Sequence, residues 1–274
     1  MKQEIRTVKY DAELKIESYH FKGIMQKFPN HFHEYYVIGF IEKGQRFLSC
    51  MNKEYTIEPG DLLLFNPRDN HACEQIDGKT LDYRCINIQP EIMSKAVFEI
   101  TGKEYLPYFT PQVVFHSESV AVLRELHQMI MEDERDFRKE EIFFFLLEQL
   151  MGEYTEQEVP AGHTEQSMEA RAICEFLENH YMENITLDDL CKLTRLSKYY
   201  LLRSFTKQKG ISPYSYLETI RINKAKKMLE QGVLPIDVAL QTGFTDQSHF
   251  SNFFKKFIGL TPKQYMNIFK DTRS

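Results

Sequence analysis

Long apolar runs are missing from this sequence of 274 residues. The longest, Tyr35 to Ile41, falls far short of the ~20 residues that cross a bilayer, which excludes a helical membrane span. The opening MKQEIRTVKYDAEL interleaves charges and has no apolar h-region, so no secretory signal is expected. Cysteine is sparse as well. Cys50, Cys73, Cys85, Cys174 and Cys191 stand at wide, odd spacings without a CxxC, which argues for reduced thiols and a cytoplasmic location. Equally absent are a nucleophile beside a base, a phosphate-cradling glycine loop and paired catalytic carboxylates, so no enzyme is expected. What is present is ordinary globular material, 42% apolar and 27% charged, in a length that suits two domains.

The net charge of −6 conceals a split. From Ser167 to Ser274 there are 16 Lys+Arg against 11 Asp+Glu, which leaves 18 against 29 in the preceding part. An acidic body joined to a basic tail is the pattern expected when only the tail meets a polyanion.

Periodicity divides the chain further. Up to about Ile88, short alternating runs are bounded by turn residues such as Glu42-Lys43-Gly44, Met51-Asn52-Lys53 and Pro59-Gly60-Asp61, which predicts antiparallel strands closing into a small barrel or sandwich. From Pro90 to Thr155 the period becomes helical. Val120, Leu123, Leu126, His127 and Ile130 form one stripe. In Glu140 to Tyr154, Phe143, Leu146, Leu147 and Leu150 form one face and Ile142, Phe145 and Gln149 another. Such a two-sided helix fits either a dimer contact or burial between its own barrel and its helical neighbour. The segment 156–166, rich in Pro, Gly and polar residues, reads as a linker between domains at 1–155 and 167–274.

The C-terminal part contains one arrangement twice: a short helix, a turn and a longer helix. Thr186 caps LDDLCKLT and Ser197 caps KYYLLRSFTKQKG; Pro235 opens IDVALQT and Asp246 caps QSHFSNFFKKFIG. Leu201, Phe205, Phe250, Phe253, Phe254 and Phe257 supply the cores. The opposite faces carry Lys198, Tyr199, Arg203 and Lys207 in the first copy, and Gln247, Ser248, His249, Ser251, Asn252 and Lys255 in the second. These side chains suit base-edge and phosphate hydrogen bonds. The connecting helix, Tyr214 to Gln231, spans ~27 Å at 1.5 Å per residue. The two longer helices can then enter successive major grooves, about 34 Å apart.

GFTDQSHFSNFFKKFIGLTPKQYM resembles the signature of AraC/XylS-type transcription regulators, and the resemblance extends from Ser167 to about Phe269. It implies base reading by Tyr199, Leu202 and Arg203, and by Gln247, Ser248, His249, Ser251 and Asn252. Leu202 departs from a hydrogen-bonding role and suits a thymine methyl instead.

His31-Phe32-His33, Pro59-Gly60-Asp61 and His71 resemble a cupin sensor domain, which implies a two-domain α+β chain: an antiparallel cupin-like β-barrel with a helical hairpin, then an all-α double helix-turn-helix domain. The glutamate expected after the His pair of a metal-binding cupin is replaced by Val37 and Ile38. His31, His33 and His71, with Cys73 as a fourth ligand, remain chemically suitable for zinc or another divalent metal, although no cofactor is required. The favoured reading is an organic-effector pocket formed by His31, His33, Tyr35, Arg46, His71, Tyr83 and Arg84, and the third is that the histidines are polar core residues. The expected function is a cytoplasmic, homodimeric, effector-responsive regulator of double-stranded DNA with no membrane partner. Its rival is a cupin-type metalloenzyme, dioxygenase-like, with an accessory nucleic-acid domain.

Overall fold

The computed structural model describes residues 4–76, 78–134, 137–155 and 167–269, leaving aside the side chains of residues 137, 198 and 199. The expected linker at 156–166 lies outside the described residues. The chain forms two compact units: Met1–Lys27 with His33–Val159, and Phe28–Phe32 with Pro160–Ser274. Among the described residues no helix is long and apolar enough to cross a membrane.

The first unit contains β1 (Ile5–Asp11), β2 (Ile16–Ile24), β4 (Tyr36–Lys43), β5 (Arg46–Cys50), β6 (Lys53–Ile57), β7 (Leu62–Phe65), β8 (His71–Gln75), β9 (Leu81–Ile88) and β10 (Val113–Val114). One antiparallel sheet has the order β1-β2-β9-β4-β7-β10, and a second contains β8-β5-β6. The pairing of the described strands gives two antiparallel sheets, as the alternating runs predict. Turn chemistry separates the strands. Met51 and Asn52 both take positive φ, 48° and 63°, as a two-residue hairpin between β5 and β6 requires. Asp61 accepts hydrogen bonds from the Glu58 and His116 amides, pinning the Pro59-Gly60-Asp61 turn.

Helices cover the larger sheet: α1 (Pro90–Thr101), α2 (Ser119–Glu132) and α3 (Phe137–Tyr154). The expected hairpin is α2 and α3. The additional α1 begins on Pro90 and ends at Gly102, whose φ of 70° suits glycine at a helix C-terminus. Ile16, Ile38, Phe40, Leu62, Leu64, Ile86 and Ile88 from the sheet meet Leu123, Leu126, Phe143, Leu146, Leu147 and Leu150 from the helices. Alternation along each strand then turns the odd-numbered residues of β2, β4 and β9 to the other face.

A polar group interrupts the apolar layer beneath α2. His127, 1% exposed, donates from Nε2 to the Tyr19 carbonyl at 2.9 Å, while its Nδ1 has no hydrogen-bond partner among the described residues. Nearby, His20 bonds Asp82 at 3.1 Å, and Arg84 lies between Asp82 and Glu42. Burial holds the His127 pKa down, from 6.5 to about 4. Between those values the unfolded chain binds more protons, so stability falls as pH falls. At pH 5 this group should remove about 2 kcal/mol that is present above pH 7, from the free energy of one pKa unit. Urea unfolding of the wild type and His127→Gln across pH 7 to 5 measures it, the variant being expected to lose that much less.

The second unit contains β3 (Phe28–His31) and the helices α4 (Met168–Asn179), α5 (Leu187–Thr194), α6 (Lys198–Lys209), α7 (Pro213–Glu230), α8 (Pro235–Gln241), α9 (Gln247–Ile258) and α10 (Pro262–Ile268). Ile173, Leu177, Leu190, Leu201, Phe205 and Ile220 form the core of its first half. Phe250 and Phe254 of α9, with Tyr265 of α10, anchor the second half.

Candidate nucleic-acid interface and ligand-binding interior

Side-chain caps fix the start of each longer helix. Ser197 accepts from the Tyr200 amide to open α6, and Asp246 from the His249 amide at 2.7 Å to open α9. The His249 amide also holds the Asp246 carboxyl below the usual range. In the preceding turns Arg195 takes a φ of 57° and Gly243 one of 78°. A Cβ at Gly243 would stand 2.7 Å from the Tyr181 carbonyl, so the second turn requires glycine. Upstream, Thr186 and Asp189 form a reciprocal capping box at α5.

Both helices bury one face and present the other. In α6, Leu201 and Phe205 are buried while Leu202, 38% exposed, lies beside exposed Arg203 and Lys207. The side chains of Lys198 and Tyr199 lie outside the description. In α9, Phe250, Phe254 and Phe257 are buried; Gln247, Ser248, His249, Asn252 and Lys255 are exposed, and Ser251 is half-buried. The His249 ring rests 5.6 Å from Phe244 and 6.0 Å from Phe253, so it is braced by its own helix and turn. What results is two polar helical faces, each held by an aromatic or aliphatic core.

In the first unit, Tyr19, Tyr35, Tyr83, Cys85 and Asn87 share the odd-numbered face of the larger sheet, opposite the helices. Glu17 joins them: its carboxylate accepts from Tyr19 Oη at 3.1 Å and from Asn87 Nδ2 at 3.2 Å. Burial raises the phenols of Tyr19 and Tyr83 well above their ordinary range, with neighbouring Tyr35 and Cys85 adding to the effect. Gly39 provides space for Tyr83. A Cβ there would lie 2.5 Å from Tyr83 Oη and 2.9 Å from Cys85 Cβ. At the edge of this group the His33 and Tyr35 rings stack at 4.8 Å, and His33 stands 5.1 Å from His71, which stacks on Phe65 at 4.1 Å.

The expected effector residues separate on this geometry. His33, Tyr35, His71 and Tyr83 belong to the interior group. Arg84 does not: adjacent to Tyr83 in a strand, it points to the helical side, toward Asp82 and Glu42. Arg46 is fully buried and commits its guanidinium to the carbonyls of Gln45, Lys79 and Ile24, as a clasp between chain segments. His31 lies in the short segment that belongs to the second unit. Of the residues suited to a metal, His33 and His71 approach each other within the first unit. Burial pushes the Cys73 thiol up to about 12, so it is a neutral thiol in this environment. Glu17, Tyr19 and Asn87 escape a reading that starts from the His motif, although the alternation in IESYHF, and in LDYRCINI for Asn87, carries their signal.

Residues 13–147 match the family model of the AraC-like ligand binding domain, and residues 190–268 match that of a helix-turn-helix domain. The HTH-type transcriptional regulator YbfI of Bacillus subtilis is 64% identical over 249 residues, covering 91% of this chain and 90% of YbfI. This chain belongs to the AraC family of transcription regulators. It combines the family's N-terminal ligand-binding domain with its C-terminal helix-turn-helix DNA-binding domain. The HTH-type transcriptional activator RhaS of Escherichia coli is 26% identical, with 86% of each chain covered. In fold, this AraC-family chain is similar to ToxT of Vibrio cholerae, with a TM-score of 0.51 at 18% identity over 93% of this chain and 98% of that one. ToxT has also been solved with an unsaturated fatty acid, in a structure of TM-score 0.52 and 17% identity covering 99% of both chains.

Proposed function

We propose that the chain acts in the cytoplasm as a homodimeric regulator, without enzymatic activity, that reads a bipartite DNA site and responds to an organic molecule held in its first unit. The observation that carries the DNA reading is the repeated construction of α6 and α9, each opened by a cap and each presenting polar residues over a buried core. Arg203 reads guanine, and Gln247, Ser248 and Asn252 read base edges in the second segment. Tyr199, Leu202, His249 and Ser251 complete the two reading faces. Lys198, Lys207 and Lys255 hold phosphates. Footprinting tests this: Arg203→Ala should relax specificity within one segment only, whereas Lys207→Ala should weaken all sequences alike.

For the effector, Glu17, Tyr19, Tyr35, Tyr83 and Asn87 supply buried polar groups, and His33 and His71 stand beside them. This mixture suits a compact organic ligand with several hydrogen-bonding groups. His33→Ala should abolish the response to that ligand while the DNA affinity of the ligand-free protein stays unchanged. One equivalent of zinc per chain, lost on the same substitution, would instead assign these rings to a metal.

Dimerisation rests on α3. Phe145, 65% exposed, lines a groove with Ile100 and Phe144 that is rimmed by Glu99, Glu141 and Glu148, and Phe98 of α1 is 52% exposed. Large exposed rings of this kind mark contact surfaces. Light scattering at micromolar concentration should give twice the chain mass for the wild type and the chain mass for Phe145→Glu. A monomeric wild type would defeat the reading.

A further inference from the structure

Five residues that lie in the chain between Tyr19 and His33 of the candidate effector group cluster with the DNA-binding unit. Phe28–Phe32 clusters with the C-terminal helices, and Phe32, 3% exposed, sits in the core formed by Ile173, Leu201, Phe205 and Ile220. Its ring lies 5.1 Å from Tyr216 of α7. Asn30 Nδ2 donates to the carbonyl of Gly210, the residue that closes α6, at 2.6 Å. The His31 ring, whose Nδ1 bonds the Pro29 carbonyl at 2.7 Å, lies edge-on to Phe257 in the last turn of α9 at 5.3 Å. One short strap thus touches the end of the first recognition helix, the connecting helix and the end of the second.

We propose that the strap Phe28–Phe32, through Asn30, His31 and Phe32, sets the spacing between the two DNA segments that α6 and α9 read. Its contacts are short-ranged. A hydrogen bond of this kind is lost once its atoms separate by more than a few tenths of an ångström beyond about 3.2 Å. One inserted base pair moves a segment by about 3.4 Å along the duplex and by about a tenth of a turn. The recognition helices cannot follow that displacement while both ends remain on the strap. Phe32 prevents the strap from moving as a whole, because its ring fills the core against α7. Cβ-free Gly210, at a φ of 67°, makes the turn that presents its carbonyl to Asn30. The strap is also continuous with the sensor: His33 and Tyr35 follow Phe32 within three residues. Resting on the proposed effector site, this continuity gives a ligand at those rings a covalent route to the recognition helices.

The test uses the full chain. A duplex selected from a random pool by the wild type is footprinted to locate its two protected segments, then rebuilt with one or two base pairs inserted between them. The wild type should lose at least about tenfold in affinity at the first insertion. Asn30→Ala/His31→Ala, which leaves the Phe32 core intact, should bind all three duplexes within about threefold of one another. Phe32→Ala should behave alike, and Phe32→Leu should restore the wild-type dependence. A double variant that melts as a folded protein yet keeps the wild-type spacing dependence overturns the proposal. Selection of duplexes with a single protected segment would have a different meaning, since it overturns the bipartite reading itself.

Discussion

Inserting five base pairs between the two protected segments should lower the affinity of the full chain by roughly 300-fold. About half a helical turn separates the displaced segment from its former face, so α6 and α9 can no longer occupy both grooves from one side. Specific binding typically exceeds non-specific binding by about 4–10 kcal/mol, and losing one of two comparable reading helices forfeits roughly half of it. The loss should not be recovered when helical phase is restored. Ten base pairs return the segment to its original face but at one turn's greater distance, which α7, an 18-residue helix, cannot span by stretching. Binding curves with zero, five and ten inserted pairs check this, and unchanged affinity at five would mean that one motif alone reads DNA.

Lys139→Ala should cost the first unit about 3 kcal/mol in denaturant unfolding, the lower end of the range for breaking a buried ion pair. The ammonium, 4% exposed, meets Asp11 at 2.6 Å and Glu13 at 2.8 Å, tying β1 to the first turn of α3. Asp11 keeps amide hydrogen bonds from Glu13 and Leu14, which places the cost at the low end. Burial lowers the lysine's pKa, but the hydrogen bonds and charges of Asp11 and Glu13 outweigh it and the net shift is upward. A base whose pKa is raised on folding stabilises below its unfolded value and ceases to do so above the folded one. The difference between wild type and variant should therefore hold at neutral pH and narrow above about pH 10.4, the ordinary lysine value.

Local chemistry is what the sequence displays best. Thr186, Ser197 and Asp246 lie where a side chain must accept from an amide three residues on, and all three do so. The faces of α3 are similarly legible, because Phe143, Leu146, Leu147 and Leu150 repeat at helical spacing and are buried while Phe145 is not. Pairings across the sheet are harder to read. Glu17 and Asn87 meet through the β2–β9 ladder although 70 residues separate them, and nothing local in either segment marks the partner. Adjacent Tyr83 and Arg84 look equally suited to a ligand, yet the strand's period of two must send them to opposite faces. The helix α1 is marked by its proline start and its glycine end.

The caps of the two recognition helices also differ in charge. Asp246 places an ionised carboxylate on the positive end of α9, whereas Ser197 leaves that end of α6 unneutralised, with Arg195 two residues before it. A DNA phosphate is therefore drawn to the start of α6 and repelled from the start of α9. In the proposed reading, counterion release should therefore weigh toward the α6 half of the site, where Lys198 and Lys207 add to it, although Lys255 keeps a share on α9. As ionic strength rises, the proposed contacts at α6 should weaken before those at α9, which rest more on base edges.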